Sequence, residues 1–416
     1  MKLLPLTAAL VSAGMMSSQA LAEDVNQRID KLEREISALK TQTQAAAPSS
    51  GGSSVSIGGY IKLDAMISDY SDGRSATAGI GEDFLVPSTI PTGGESGDPK
   101  THFSAKESRI WIKGQTQTDA GLIKGHIEMD FQGSAQGDER ISNSYSPRIR
   151  HAFFTWDKWL FGQTWSTFFN VGALPDLLDF VGPVGTIFVR QPQVRYTNGN
   201  WQFAVENPES TLYVNGAATT YDENKIPDMV ARYNFGSDKA AYSVAIMARE
   251  IAYDRDMDNE DADNNIATGI DNESELGYAV SLAGKVAVGS EGSDLRFMVN
   301  AGNAVGRYMG LNAFRAASIE PDGSIELIDQ WGVFVAYRHL WDKQWRSSFS
   351  LSAAQADNPD SAGNAAKKYE TAHANLIYKP SAPLDIGAEI IVGNKELEDG
   401  TDGSLNRLQF SAKYGF

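Results

Sequence analysis

The sequence predicts an all-β chain, a transmembrane antiparallel β-barrel of about sixteen strands behind a short N-terminal α-helical coiled coil. Three observations predict it. The stretch Leu405–Phe416 alternates strictly: Leu408, Phe410, Ala412, Tyr414 and Phe416 fall on one face, Arg407, Gln409, Ser411, Lys413 and Gly415 on the other. That is the period-2 signature of a strand with unlike faces. Similar stretches recur from residue 56 onward, joined by links that are short and long by turns. Finally, no apolar run past the N-terminus is long enough for a membrane helix, and only a closed barrel otherwise crosses a bilayer without stranding backbone groups. A half-buried strand of a soluble β-protein is the competing reading of the last stretch, and the rest of the chain weighs against it.

Met1–Ala22 has the build of a secretory signal peptide: Lys2, an apolar Leu3–Met16, then Ala20-Leu21-Ala22 at the cleavage site. Its removal takes only the charge of Lys2, so the formal charge goes from -17 to -18. Such acidity excludes nucleic acid, which calls for a basic face, but leaves the sign of an internal channel open. The 416 residues include no cysteine, which excludes a disulfide scaffold and any thiolate metal site. Glu23–Gln44 carries Val25, Ile29, Leu32, Ile36 and Leu39 at heptad spacing, a seam for joining copies of the chain. An amphipathic helix lying on its own domain is the alternative. Residues 45–54, AAAPSSGGSS, read as a flexible linker.

The barrel is expected over residues 55–416. The first strand is Ser56–Tyr70, with Ile57, Ile61 and Leu63 on one face and Lys62, Asp64 and Ser68 on the other. Alternation then marks Lys106–Thr118, Leu122–Gln132, Pro147–Trp156, Trp159–Trp165, Gln193–Thr197, Trp201–Glu206 and Pro227–Phe235. It continues through Ala241–Tyr253, Leu276–Val286, Asp294–Val305, Gln330–His339, Arg346–Ala354, Tyr369–Tyr378, Leu384–Gly393 and the terminal strand. Short links such as Asn198-Gly199-Asn200 are hairpin chemistry. Their alternation with long ones fits periplasmic turns and outer loops. Aromatic residues gather at strand ends, as membrane interfaces favour.

One long link differs from the rest. Residues 166–191 are apolar and punctuated by Gly and Pro, a composition unsuited to water. In a barrel this link is expected to fold inward and narrow the lumen, with Phe168, Asp176, Asp179 and Phe180 at the constriction. Packing on a neighbouring protomer is the other reading. Strand parity points Arg109, Lys113, Lys124, Arg148, Arg150, Arg195, Arg232, Arg249, Lys285, Arg296, Arg338, Arg346 and Lys413 inward. The inward acids are fewer: Asp64, Glu128, Asp130, Glu206, Asp385 and Glu389. The expected lumen is therefore basic, and guanidinium forks suit carboxylates. The bland alternative is that these charges pair across the barrel and only stiffen it. Arg109, Arg148, Arg150 and Arg195, nearest the inserted link, are the first candidates for solute contact.

Other chemistry finds little support. Asp254–Asn265 opens like a calcium loop, but Asn259 replaces the required Gly and Asn265 the closing Glu, so it reads as a solvated outer loop. The five histidines are scattered and G-x-S-x-G is missing, which argues against an enzyme.

The coiled-coil seam, the Ser/Gly linker, the strand SIGGYIKLDAMISDY, the segment FGQTWSTF at Phe161–Phe168 and the terminal Phe416 together resemble the DcaP-like porins of Gram-negative bacteria. The resemblance implies a homotrimeric outer-membrane channel for small organic acids, dicarboxylates especially, with its N-terminal helix in the periplasm. It implies no cofactor or metal, and contact with lipid and lipopolysaccharide. It also makes Phe410, Tyr414 and Phe416 the signal read by the barrel-assembly machinery. An Ile-and-Leu seam favours dimers in free peptides, so a trimer would have to be imposed by the barrel. The rival readings are a barrel anchoring a coiled-coil tether, or an outer-membrane hydrolase.

Overall fold

The computed structural model describes residues 52–73, 79–133, 142–221, 224–253, 273–289 and 292–416. The signal peptide, the coiled-coil seam and Asp254–Asn265 lie outside the described residues. The chain divides into two compact units, Met1–Ser54 with Gln115–Ala120, and Val55–Gly114 with Gly121–Phe416. In the first, Ser53 and Thr116 hydroxyls lie 3.0 Å apart. The second contains most of the barrel wall and the long inserted segment.

The strands are β1 (Ser53–Tyr70), β2 (Lys100–Ser104), β3 (Arg109–Thr118), β4 (Gly121–Asp130), β5 (Arg148–Trp156), β6 (Trp159–Trp165), β7 (Arg190–Asn198) and β8 (Trp201–Glu206). Next come β9 (Ser210–Val214), β10 (Ala217–Tyr221), β11 (Asp228–Ser237), β12 (Ala240–Tyr253), β13 (Glu273–Val288), β14 (Ser293–Gly302), β15 (Ala317–Ile319) and β16 (Ile325–Leu327). The chain ends with β17 (Asp329–Leu340), β18 (Trp345–Asp357), β19 (Ala366–Ser381), β20 (Leu384–Leu397) and β21 (Asp402–Gly415). Seventeen of them form one sheet, in which β2 and β3 both pair with β1. These two share one wall position, so the barrel has sixteen. β21 pairs antiparallel with β1 from Tyr60↔Gly415 to Tyr70↔Leu405, which closes the wall.

The second wall strand is not the single stretch Lys106–Thr118 that alternation suggests. Ala105, Lys106, Glu107 and Ser108 carry no apolar alternation, and the chain turns there, with Ser108 N–H donating to Ala105 O at 3.0 Å. The turn sets Glu107 against Lys62 and within 3.1 Å of the Tyr60 hydroxyl.

The two faces of the wall differ as lipid and lumen require. On β21, Phe410 and Tyr414 are exposed, as is Phe416 just past it, while Arg407, Gln409 and Ser411 are buried. Ile61, Leu63, Ile127, Ile246, Leu351 and Ile390 are similarly bare on their strands. Aromatic contacts form a belt toward the short-turn end: Trp159–Tyr196 at 4.8 Å, Trp201–Tyr233 at 4.7 Å and Trp345–Tyr378 at 4.6 Å between ring centroids. Rings with one polar edge suit that interface.

Part of the interior is filled with apolar side chains. Three segments from the long-loop end contribute: Phe84–Val86 and Ile90, Phe168 to Phe188, and Tyr308 to Phe314, all including side chains that are fully or nearly fully buried. The sequence singles out only the middle one. The others hide because polar residues such as Glu82, Ser88, Arg307 and Arg315 are interleaved with their buried ones. At the long-loop end β10-β9-β15-β16 form a separate four-stranded sheet, β9 and β15 running parallel. Its buried Leu212, Val214, Ile319 and Ile325 pack with Ile251 and Tyr253 of β12.

Candidate functional site

Residues 166–189 have no partner strand, so their backbone groups need side-chain partners, and the buried face of the wall supplies them. Arg232 donates to Phe169 O at 2.8 Å and Arg296 to Leu174 O. Asn375 donates to Asp176 O at 2.9 Å, Lys62 to Leu178 O at 2.7 Å, and Asn300 to Gly185 O at 2.8 Å. In return, Leu178 N–H donates to Glu389 at 2.5 Å and Gly185 N–H to Ser352 at 2.8 Å. Gly185 has no room for a side chain: a Cβ there would fall 2.5 Å from Val333 N. Strands from β1 to β21 thus hold the segment against their buried side.

Asp179 is a turn lock. Its carboxylate accepts from Leu85, Val181 and Gly182 N–H at 2.8, 3.1 and 2.8 Å. Asp176 behaves differently. It receives Arg346 at 2.8 Å and lies 3.8 Å from Arg338. Phe168 is buried against Tyr308, and Phe180 faces Phe84 and Phe188.

The charged side chains form two clusters. Toward the long-loop end, Arg148 makes a forked contact to Asp130 at 2.9 and 3.0 Å. Arg150 bridges Glu128 at 2.8 Å and Asp130 at 2.7 Å, and Arg109 reaches Glu128 at 3.2 Å. Arg190, which parity does not offer, joins them: its guanidinium lies 4.3 Å over the Trp165 ring, which Arg150 also faces at 5.9 Å. Three guanidinium groups therefore meet two carboxylates, and a fourth, that of Arg190, lies beside them over Trp165. Phe180 of the inserted segment closes one side, 5.2 Å from Arg150 and 5.8 Å from Arg148.

Toward the short-turn end, Arg338 meets Asp294 at 2.6 Å, Arg296 meets it at 2.6 Å and Lys285 at 3.7 Å. Arg346, Lys379 and Lys413 surround Asp385 at 3.0, 3.5 and 3.5 Å. With Asp176, three carboxylates face six cations.

The remaining parity-assigned cations stand apart. Arg249 is buried on Asp228 at 3.1 Å and on the carbonyls of Ala304 and Glu209. Lys113 lies 4.4 Å from the Trp111 ring, and Lys124 is exposed. Glu206 accepts from Thr167 N–H at 2.7 Å and Gln191 at 2.6 Å. Sequence parity also misses His151. A bulge, in which Glu128↔His151 is followed by Met129↔Ile149, turns both Arg150 and His151 to the buried side. His151 then bonds Thr164 at 2.9 Å and sits 3.9 Å from Glu128. Bulges commonly re-aim a side chain in this way. Arg190 escapes notice because it is the first residue of β7, inside a stretch that reads as loop.

At the long-loop end, Asp83 accepts from His102 at 3.0 Å and Lys106 at 3.1 Å. Burial pushes its carboxyl up, but hydrogen bonds from His102 and Ser104 and the charge of Lys106 outweigh it and hold the group below its ordinary 3.8.

A closed sixteen-stranded wall, apolar outside and charged within, with an irregular segment held inside it, defines an outer-membrane channel of the porin type. The family model for the DcaP outer membrane protein matches residues 16–416, and the chain belongs to that family. Among solved structures, the outer-membrane channel DcaP of Acinetobacter baumannii aligns at 24% identity and a TM-score of 0.71, over 88% of this chain and 98% of that one. An anion-selective porin from Comamonas acidovorans aligns at 10% identity and a TM-score of 0.49, over 88% and 100%. OmpT of Vibrio cholerae aligns at 12% and 0.47, over 88% and 98%. No curated protein sequence matches it.

Proposed function

We propose that this channel passes small anionic solutes passively, organic acids and dicarboxylates in particular, through a basic lumen narrowed by residues 166–191. The carrying observation is the excess of cations in both clusters, two net positive charges at Arg109, Arg148, Arg150 and Arg190 and three around Asp176, Asp294 and Asp385. A carboxylate drawn in from the long-loop end sheds part of its hydration against guanidinium donors, and leaves because most of these donors are shared with resident acids. Arg195, Arg232 and Arg249 serve the framework in this reading, since protein carbonyls and carboxylates occupy their donors.

The working form is a homotrimer. β8 has six residues and β6 seven. At about 3.4 Å per residue and a tilt near ~40°, six residues rise roughly 16 Å, short of an apolar band about 25 Å tall. That low side of the wall suits packing against further copies, with the seam Val25, Ile29, Leu32, Ile36 and Leu39 joining them. The test is the zero-current potential of purified protein in a planar bilayer across a potassium chloride gradient. Anion preference is expected, and cation preference would sink the reading.

A further inference from the structure

The outer cluster contains one cation that its own acids leave unserved. Asp130 is committed to Arg148 and Arg150, and Glu128 to Arg150 and Arg109, with His126 at 3.6 Å and His151 at 3.9 Å filling its remaining sides. Arg190 receives neither carboxylate within ion-pair distance. Its guanidinium carbon lies 4.3 Å from the Trp165 ring centroid and 5.8 Å from that of Phe188. Nη1 is buried with no hydrogen-bond partner among the described residues. The Nε of Arg109, in the same cluster, is likewise buried without one.

Buried donors are ordinarily paired, and an orphan on a charged group is costly. Other internal guanidinium groups, Arg338 and Arg407 among them, also carry one orphan nitrogen, but each donates elsewhere, as Arg195, Arg232 and Arg249 do, whereas the Arg190 guanidinium makes no hydrogen bond or ion pair among the described residues. The ring stack also matters. The rings attract the cation and limit its movement, so that its donors stay beside the cluster.

From these facts we infer that Arg190 is the specificity-determining residue of the outer cluster: it binds the carboxylate of the solute, with Arg109 as second donor. Arg148 and Arg150 supply field, while Arg190 supplies the fork. This deepens the anion-channel reading and rests on it. The assignment also predicts a distinction between charge and geometry, because lysine keeps the first and loses the second.

The experiment is single-channel recording on purified wild type, R190Q and R190K, with malonate and acetate titrated against the chloride current. Circular dichroism and the heat-dissociation temperature of the oligomer establish folding of each variant. The expected result is that both variants raise the half-blocking malonate concentration by about tenfold or more. R190K should keep the zero-current potential of wild type, and R190Q should lower its anion preference. An unchanged half-blocking concentration in a folded R190Q would overturn the assignment of Arg190 while leaving the anion channel intact. Equal losses of selectivity and block in R190K would also overturn it, since a fork is then not what matters. Failure of wild type to prefer anions or to bind malonate would instead remove the channel reading beneath it.

Discussion

Replacing Arg148 and Arg150 together by Gln tests whether net charge in the outer cluster sets selectivity. In the wild type four guanidinium groups face two carboxylates, and the double variant leaves two against two. A monovalent ion about 6 Å from two net charges in a water-like medium feels roughly 1.4 kcal/mol, about half that once 0.1 M salt screens it. The anion loses this attraction and the cation loses the matching repulsion. Their permeability ratio should therefore fall on the order of tenfold at 0.1 M salt, and by much less at 1 M. The informative control is D130N with R148Q, which removes one charge of each sign and leaves the net charge as it was. Zero-current potentials across a salt gradient read both. If the two variants shift the potential equally, or the Arg pair can be removed from a folded channel without effect, net charge is not what the cluster contributes.

Four further outcomes are expected. Asp176→Asn removes a carboxylate shared by Arg338 and Arg346, so zero-current measurements should show stronger anion preference. Glu389→Ala leaves Leu178 N–H and His373 without their acceptor and Asn375 with only Asp176 O; at about 1–3 kcal/mol for each buried orphan, the oligomer should dissociate at a lower temperature and conduct more noisily. Gly185→Ala presses a methyl group onto the Val333 backbone, an overpacking cost of about 1–3 kcal/mol, and single-channel conductance should rise as the segment lifts. Asp83, whose carboxyl is held below 3.8, stabilises its loop at any pH above that value and loses the contribution only as the pH falls through the lowered one; amide exchange over residues 80–86 should thus stay slow at pH 5 and quicken below the ordinary carboxylate range.

The wall was legible in the sequence because lipid and lumen impose opposite chemistry on alternate residues. Leu408 to Phe416 against Arg407 to Lys413 needs nothing beyond parity. Where parity breaks, the reading breaks too. The turn at Ala105–Ser108, which sets Glu107 beside Lys62, and the bulge that turns His151 inward each arise from one or a few residues out of step. The apolar link 166–191 stood out by composition. The segment Tyr308–Phe314 did not, because its buried Tyr308, Met309 and Phe314 are interleaved with Arg307, Asn312 and Arg315. Which arginines have donors to spare is invisible to any pattern. It depends on carbonyls such as Phe169 O and Leu174 O, supplied by chain with no periodicity at all.

The dispersal of the inserted segment's partners bears on how the protein must be built. Leu178 depends on Glu389, 211 residues later, and its carbonyl accepts from Gln409, 231 residues later. No early intermediate can offer these groups, since loop closure over such separations precedes any return. Residues 166–189 therefore wait, apolar and unsatisfied, until β21 zips onto β1. Closing the wall and seating its contents become one cooperative event, which places the most aggregation-prone stretch of the chain at the mercy of its last strand.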